Sequence, residues 1–173
     1  WSWLGLPRIR ADLAALPIGA VDELILGGHS ALVEHGDVVS AVRAALVDGE
    51  GPVLDELLER LALQTLPVSL LNELLVSVVH HQHQRVAFAL QKAGDPSTAP
   101  YAARALAMGF SHLQYTASDD DVIAKWYSWL LAGIGTPQAI AVLRQYASSD
   151  NEQVAAAMKY RLIRLQPGGG NRA

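Results

Sequence analysis

Leu90-Gln91-Lys92-Ala93-Gly94-Asp95-Pro96-Ser97-Thr98-Ala99 and Leu131-Ala132-Gly133-Ile134-Gly135-Thr136-Pro137-Gln138-Ala139-Ile140 carry one pattern twice, in register at a separation of 41 residues. In each copy a helix-forming stretch that opens on a leucine leads to a glycine, a short polar residue follows, and a proline comes next. Glycine accepts the left-handed conformation that ends a helix, and Asp or Thr caps the next one. Proline fits the first turn, where its missing N–H has no partner to lose. Each copy therefore predicts two helices joined by a tight turn.

Further along the chain, the first helix of the pattern recurs a third time. Val154-Ala155-Ala156-Ala157-Met158 through Leu162 and Leu165 repeats the spacing of Ile123, Trp126, Leu130 and Ile134. Acids precede both, Asp119 to Asp121 in one and Asp150 in the other, where they favour a helix start. A period of roughly 30 to 45 residues built from helix pairs predicts an α-α superhelix, a solenoid in which each hairpin hides its apolar side on its neighbours. The longer first spacing implies an insertion, which is placed as a loop at Phe110 to Ser118.

The rest of the chain agrees with an all-α reading. Apolar residues recur at three- and four-residue spacings, and no segment alternates with the two-residue period of a strand. Breaks fall at Gly27-Gly28, at Asp48-Gly49-Glu50-Gly51-Pro52, at Leu66-Pro67 and at Ser148-Ser149-Asp150. The 173 residues suit a single helical domain, with 1–66 as diverged N-terminal helices, 67–166 as the repeats and 167–173 as a flexible tail. Gly51-Pro52-Val53-Leu54 with Leu57, Leu58 and Leu61 reads as a diverged second helix of another hairpin.

Composition narrows the function classes. Cysteine is absent, which removes disulfides, thiolate metal sites and a cysteine nucleophile. Charged or polar residues interrupt even the richest apolar stretch, Leu70 to Val79, so no membrane helix is expected. Trp1 to Leu6 is apolar but far shorter than a signal peptide and reads as the remnant of a longer chain. Through Glu73 there are eleven acids against four arginines, net −7; the remainder has six acids against nine Lys and Arg, net +3. The overall −4 argues against nucleic acid as partner, because neutralising several phosphates needs a basic face.

The turn segments Lys92 to Tyr101 and Gly133 to Ile140 look like HEAT repeats of the phycobilin-lyase type. The stretch from about Leu70 to Leu165, including Ile123-Ala124-Lys125-Trp126-Tyr127-Ser128-Trp129, further resembles bacterial HEAT-repeat proteins associated with polymorphic toxin systems. That resemblance implies a non-enzymatic, cytoplasmic immunity protein that needs no cofactor. Such a protein binds a cognate toxin domain and occludes its active cleft. The alternative is a lyase-like HEAT protein that handles a small ligand or cofactor in its groove. Use of such repeats on DNA, a third class, requires a basic concave face.

Superposing the copies sorts the side chains. Ile123, Trp126, Tyr127, Leu130 and Ile134 fall on the buried stripe, as do Ala99, Ala102, Leu106, Ile140 and Leu143. The place usually held by a charged residue holds Phe88, Trp129 and Tyr160, at spacings of 41 and 31. Stacking aligns these into an aromatic row on one outer face unless neighbouring helices or the inserted loop cover them, and Trp129 is the candidate contact. Tyr101, Arg104, Gln138 and Gln145 project from the second helices, which line the concave surface in this architecture. Asp55, Glu56 and Glu59 represent the acidic half as contacts for a basic partner.

Other clusters carry less. His80-His81-Gln82-His83 puts His80 and His83 on one helix face, but no carboxylate sits within the cluster and the chain has Glu34-His35 rather than a His-Glu pair. A helix-end or junction role is the simpler reading. Asp119-Asp120-Asp121 more simply favours the helix dipole than a hard cation, which needs spaced ligands and a turn glycine. Gly27-Gly28-His29-Ser30 and Gly168-Gly169-Gly170 lack a phosphate-loop framework, and no motif proposes a catalytic triad.

Overall fold

The computed structural model describes residues 35–166. The glycine segments at 27–28 and 168–170, the tail 167–173 and most of the expected N-terminal helices lie outside them. The chain divides into two compact units, Trp1–Val38 and Val39–Ala173, and the described helices belong almost wholly to the second. Among the described residues the fold is all-α with no strand.

Its helices are α1 (His35–Asp48), α2 (Gly51–Arg60), α3 (Val68–Leu75), α4 (His83–Ala93), α5 (Ala99–Ala107), α6 (Asp120–Ile134), α7 (Pro137–Tyr146) and α8 (Glu152–Leu165). Short 3-10 turns lie at Leu63–Thr65, Pro96–Thr98 and Ser111–Thr116. The two repeated turns form as their chemistry dictates. Gly94 and Gly135 end α4 and α6 at φ of 60° and 65°, and their N–H groups donate to the carbonyls of Leu90 and Leu131. The Asp95 carboxylate then accepts from the Ser97 N–H at 2.8 Å, and the Thr136 hydroxyl accepts from the Ala139 N–H at 3.3 Å.

Packing arranges these helices in two rows. α6 packs on α4 and on α8, and α5 packs on α3 and on α7. The first helices of successive hairpins thus form one row and the second helices the other, an arrangement consistent with a helical repeat stack. The core between them is built from the expected three- and four-residue stripes. Leu70, Leu71, Leu74 and Leu75 come from α3, Val86 and Leu90 from α4, and Ile123, Tyr127, Leu130 and Ile134 from α6. The second row contributes Ala99, Ala102, Leu106 and Leu143. Small residues on α5 let neighbouring backbones close in, and the Tyr146 hydroxyl reaches the Ala103 carbonyl across that row at 3.2 Å.

Three expectations need correction. Trp126 is only half-buried, and Tyr127 beside it fills the core. Ile140 is also half-buried. The insertion is a packed 3-10 turn rather than an open loop, because Phe110 and Leu113 are buried and the Phe110 ring stacks on Tyr127 at 5.9 Å. The start of α8, one residue past Asp150, is capped by Asn151, whose side-chain oxygen accepts from the N–H groups of Gln153 and Val154.

Candidate partner-binding face

The row of first helices presents Phe88, Trp129 and Tyr160 to solvent, at 50%, 51% and 54% exposure. Neighbouring helices and the inserted turn leave each of them half-exposed. All three sit one residue away from the buried stripe, so the same helical register that buries Ala89, Leu130 and Arg161 lifts them to the rim.

Each ring is accompanied by a cation. Lys92 Nζ lies 5.2 Å from the Phe88 ring centre, one helical turn on. Arg164 stands in the same relation to Tyr160 at 5.3 Å. The closest pair crosses between helices: the Arg161 guanidinium of α8 lies 3.6 Å from the Trp129 ring of α6, and 5.9 Å from Tyr160. A cation over an aromatic face gains from the ring quadrupole, most for Trp.

Trp129 separates two grooves. One, of about 300 Å³, runs between α4 and α6 and is lined by Gln64, Gln84, Arg85, Phe88, Trp126 and Trp129 among others. The other, of about 250 Å³, runs between α6 and α8, with Trp129, Gln153, Ala156, Ala157, Tyr160 and Arg161 on its walls. Most cations here already have partners. Arg85 donates to the carbonyls of Leu58 and Leu61 at the end of α2, and Lys125 pairs with Asp121 at 2.7 Å. Arg161 differs. It is 7% exposed, no carboxylate pairs with it among the described residues, and its buried Nε has no hydrogen-bond partner. Burial holds its pKa below the ordinary arginine value.

The other sequence-derived candidates lie elsewhere. Arg104, Gln138 and Gln145 are exposed and Tyr101 is half-buried on α5 and α7, and neither groove beside Trp129 is lined by a residue of those helices. On α2, Glu59 is exposed, but Glu56 pairs with Arg60 at 2.9 Å. The Asp55 carboxylate accepts from both the backbone N–H and the Nδ1–H of His81. Asp120 accepts from the Asn151 side-chain amide at 2.6 Å, which ties the start of α6 to that of α8.

The histidine cluster forms a junction between α2, α4 and the inserted turn. His80 and His83 are buried and stacked, with ring centres 4.2 Å apart. His80 Nε2–H donates to the Leu74 carbonyl at 2.8 Å, and its Nδ1 accepts from the Gln82 N–H. His83 Nε2–H donates to the Ser77 carbonyl at 2.6 Å, and its Nδ1 accepts from the Tyr115 hydroxyl at 2.6 Å. Because carbonyls only accept, each Nε2 carries a proton; the Gln82 N–H makes His80 Nδ1 an acceptor, and burial keeps His83 neutral, so its Nδ1 accepts from the Tyr115 hydroxyl. Burial pushes His83 down to about 3 and lowers His80, while Tyr115 is pushed up to about 12. Among the described residues no group of three His, Cys, Asp or Glu side chains is placed to hold a metal ion.

Two functional features escaped the sequence. Trp126 lines the first groove. Arg161 occupies a position that the stripe Val154, Ala157, Met158 reserves for an apolar side chain, and an arginine in that register was the available signal. No helix among the described residues is long and apolar enough to cross a membrane. Compared with protein-family models, curated proteins and solved structures, the chain matches none of them.

Proposed function

We propose that this chain is a non-enzymatic, HEAT-like protein-binding scaffold whose contact face is the row Phe88, Trp129 and Tyr160 on α4, α6 and α8. The observation that carries this reading is the half-exposure of all three rings on successive helices, with cations beside them and a groove on each side of Trp129. Exposed aromatic side chains give large desolvated area at low entropic cost, and together with arginine they dominate binding hot spots. Hairpin rows hold such side chains on rigid backbone, which limits the ordering cost of association.

The particular role proposed is that of a cytoplasmic immunity protein that covers the active cleft of a cognate bacterial toxin. Here the steering charge belongs to the cations around the aromatic row. Asp55 and Glu56 are engaged within the chain itself. The test is co-expression with the product of the adjacent gene. Wild-type protein should restore growth and co-purify with that product, and Trp129→Ala with Tyr160→Ala should lose both while remaining helical by circular dichroism. Absence of protection and of a complex with the wild-type chain, or full protection by the double variant, overturns it.

A further inference from the structure

The α6–α8 groove contains a charge that no carboxylate answers among the described residues. Arg161 is more than nine-tenths buried, its Nε has no hydrogen-bond partner, and the rings of Trp129 and Tyr160 lie 3.6 Å and 5.9 Å from its guanidinium. A buried cation without a counter-ion is costly, and cation–π contacts offset only part of that cost. Asp121 and Lys125 also line the groove and pair with each other at 2.7 Å. The remaining walls are mostly apolar, from Ala156, Ala157 and the faces of Trp129 and Tyr160.

We propose that this groove is a carboxylate-binding subsite, in which Arg161 receives an aspartate or glutamate side chain of the protein partner and the walls of Ala156, Ala157 and Trp129 receive the apolar residue next to it. This rests on the protein-binding reading and specifies what the face selects. A planar guanidinium takes a carboxylate through two parallel N–H donors, the geometry in which arginine exceeds lysine. Trp129 borders both grooves, so a partner segment seated beside it continues across the tryptophan towards Phe88. An internal acidic side chain fits that path, and a chain terminus does not. The cations along it, Lys92 and Arg164, favour the same sign of partner.

The experiment follows the side-chain Nε–H resonance of Arg161 and the indole N–H of Trp129 by NMR. The full chain is titrated with an end-blocked peptide alternating leucine and glutamate. Both signals should move saturably at millimolar peptide, and the glutamine version should bind roughly tenfold more weakly or worse. Arg161→Lys keeps the charge but loses the fork, so it should weaken the glutamate peptide by a similar factor with an unchanged circular dichroism spectrum. Equal binding of the glutamate and glutamine peptides, a stationary Arg161 signal, or undiminished binding by Arg161→Lys overturns the subsite. So does equal binding of a glutamine peptide with a free C-terminal carboxylate, or a response to oligothymidylate alone. With the co-expressed partner, loss of the complex in Trp129→Ala but not in Arg161→Lys removes the subsite and leaves the binding face standing. Retention by both variants removes both.

Discussion

The guanidinium of Arg161 on α8 lies 3.6 Å from the centre of the Trp129 ring on α6, and this pair joins two successive first helices at the rim of the core. The contact couples stability to the proposed binding face, because the same ring shields the cation and presents itself to solvent.

Such a pair should show a measurable coupling. Trp129→Ala and Arg161→Leu should each destabilise the fold, and the double variant should lose less than the sum. The interaction energy should be about 0.5–2 kcal/mol, the range for a partly desolvated cation–π pair. Urea unfolding of the four proteins measures it. A sum that is simply additive would mean that the stacking contributes nothing.

Acid should weaken the fold through the histidine junction. His83 is neutral and buried when folded, with its pKa held down to about 3, whereas the unfolded chain protonates it from about pH 6.5. Its contribution is thus fully present above about pH 6.5 and is lost progressively as pH falls towards the folded value, because the unfolded state binds the proton first. The slope is up to about 1.4 kcal/mol per pH unit for each such histidine, and His80, also lowered by burial, adds in the same direction. Unfolding free energies between about pH 6.5 and about pH 5 should show this fall, and His83→Gln should flatten it. The groups around the pair are Asp55, His81, His112 and Tyr115.

Gly51 should tolerate no side chain. A Cβ there lies 2.6 Å from the backbone oxygen of Val79, in the segment that carries the histidines. Gly51→Ala should cost about 1–3 kcal/mol by overpacking. Gly133→Ala meets the Gln91 oxygen at 3.2 Å inside a helix that gains from alanine, so it should lie near neutral. Thermal melts of the two variants rank them; a stable Gly51→Ala would show that the 76–82 segment can move away.

At the start of α8, Asn151→Ala removes an acceptor shared by two N–H groups and the link to Asp120. The loss should be about 1–2 kcal/mol, whereas exposed Asp150→Ala should change stability by less than about 0.5 kcal/mol. Denaturant midpoints decide which residue is the cap.

The helix ends and the two matching turns were legible because their physics is local. A glycine that must turn left-handed, with a capping oxygen within three residues, fixes a boundary wherever it occurs, as at Gly94-Asp95 and Gly135-Thr136. The aromatic row was readable for the same reason, since spacings that follow the repeat return side chains to one face. The insertion was misread as a loop because its burial depends on contacts with residues beyond its own turn, such as Phe110 with Tyr127 of α6.

The order of residues alone was therefore enough for an all-α chain, its tight turns, and Trp129 as part of a row with Phe88 and Tyr160. Folding in three dimensions was needed to establish that the rings stay half-exposed, that Trp126 turns to the groove, and that Asp55 is hydrogen-bonded to His81. It also left Arg161 buried without a counter-ion among the described residues. Periodicity sets which side of a helix a residue occupies, but its neighbours there depend on how each helix is rotated against the next, and that rotation comes from the packing of all of them together.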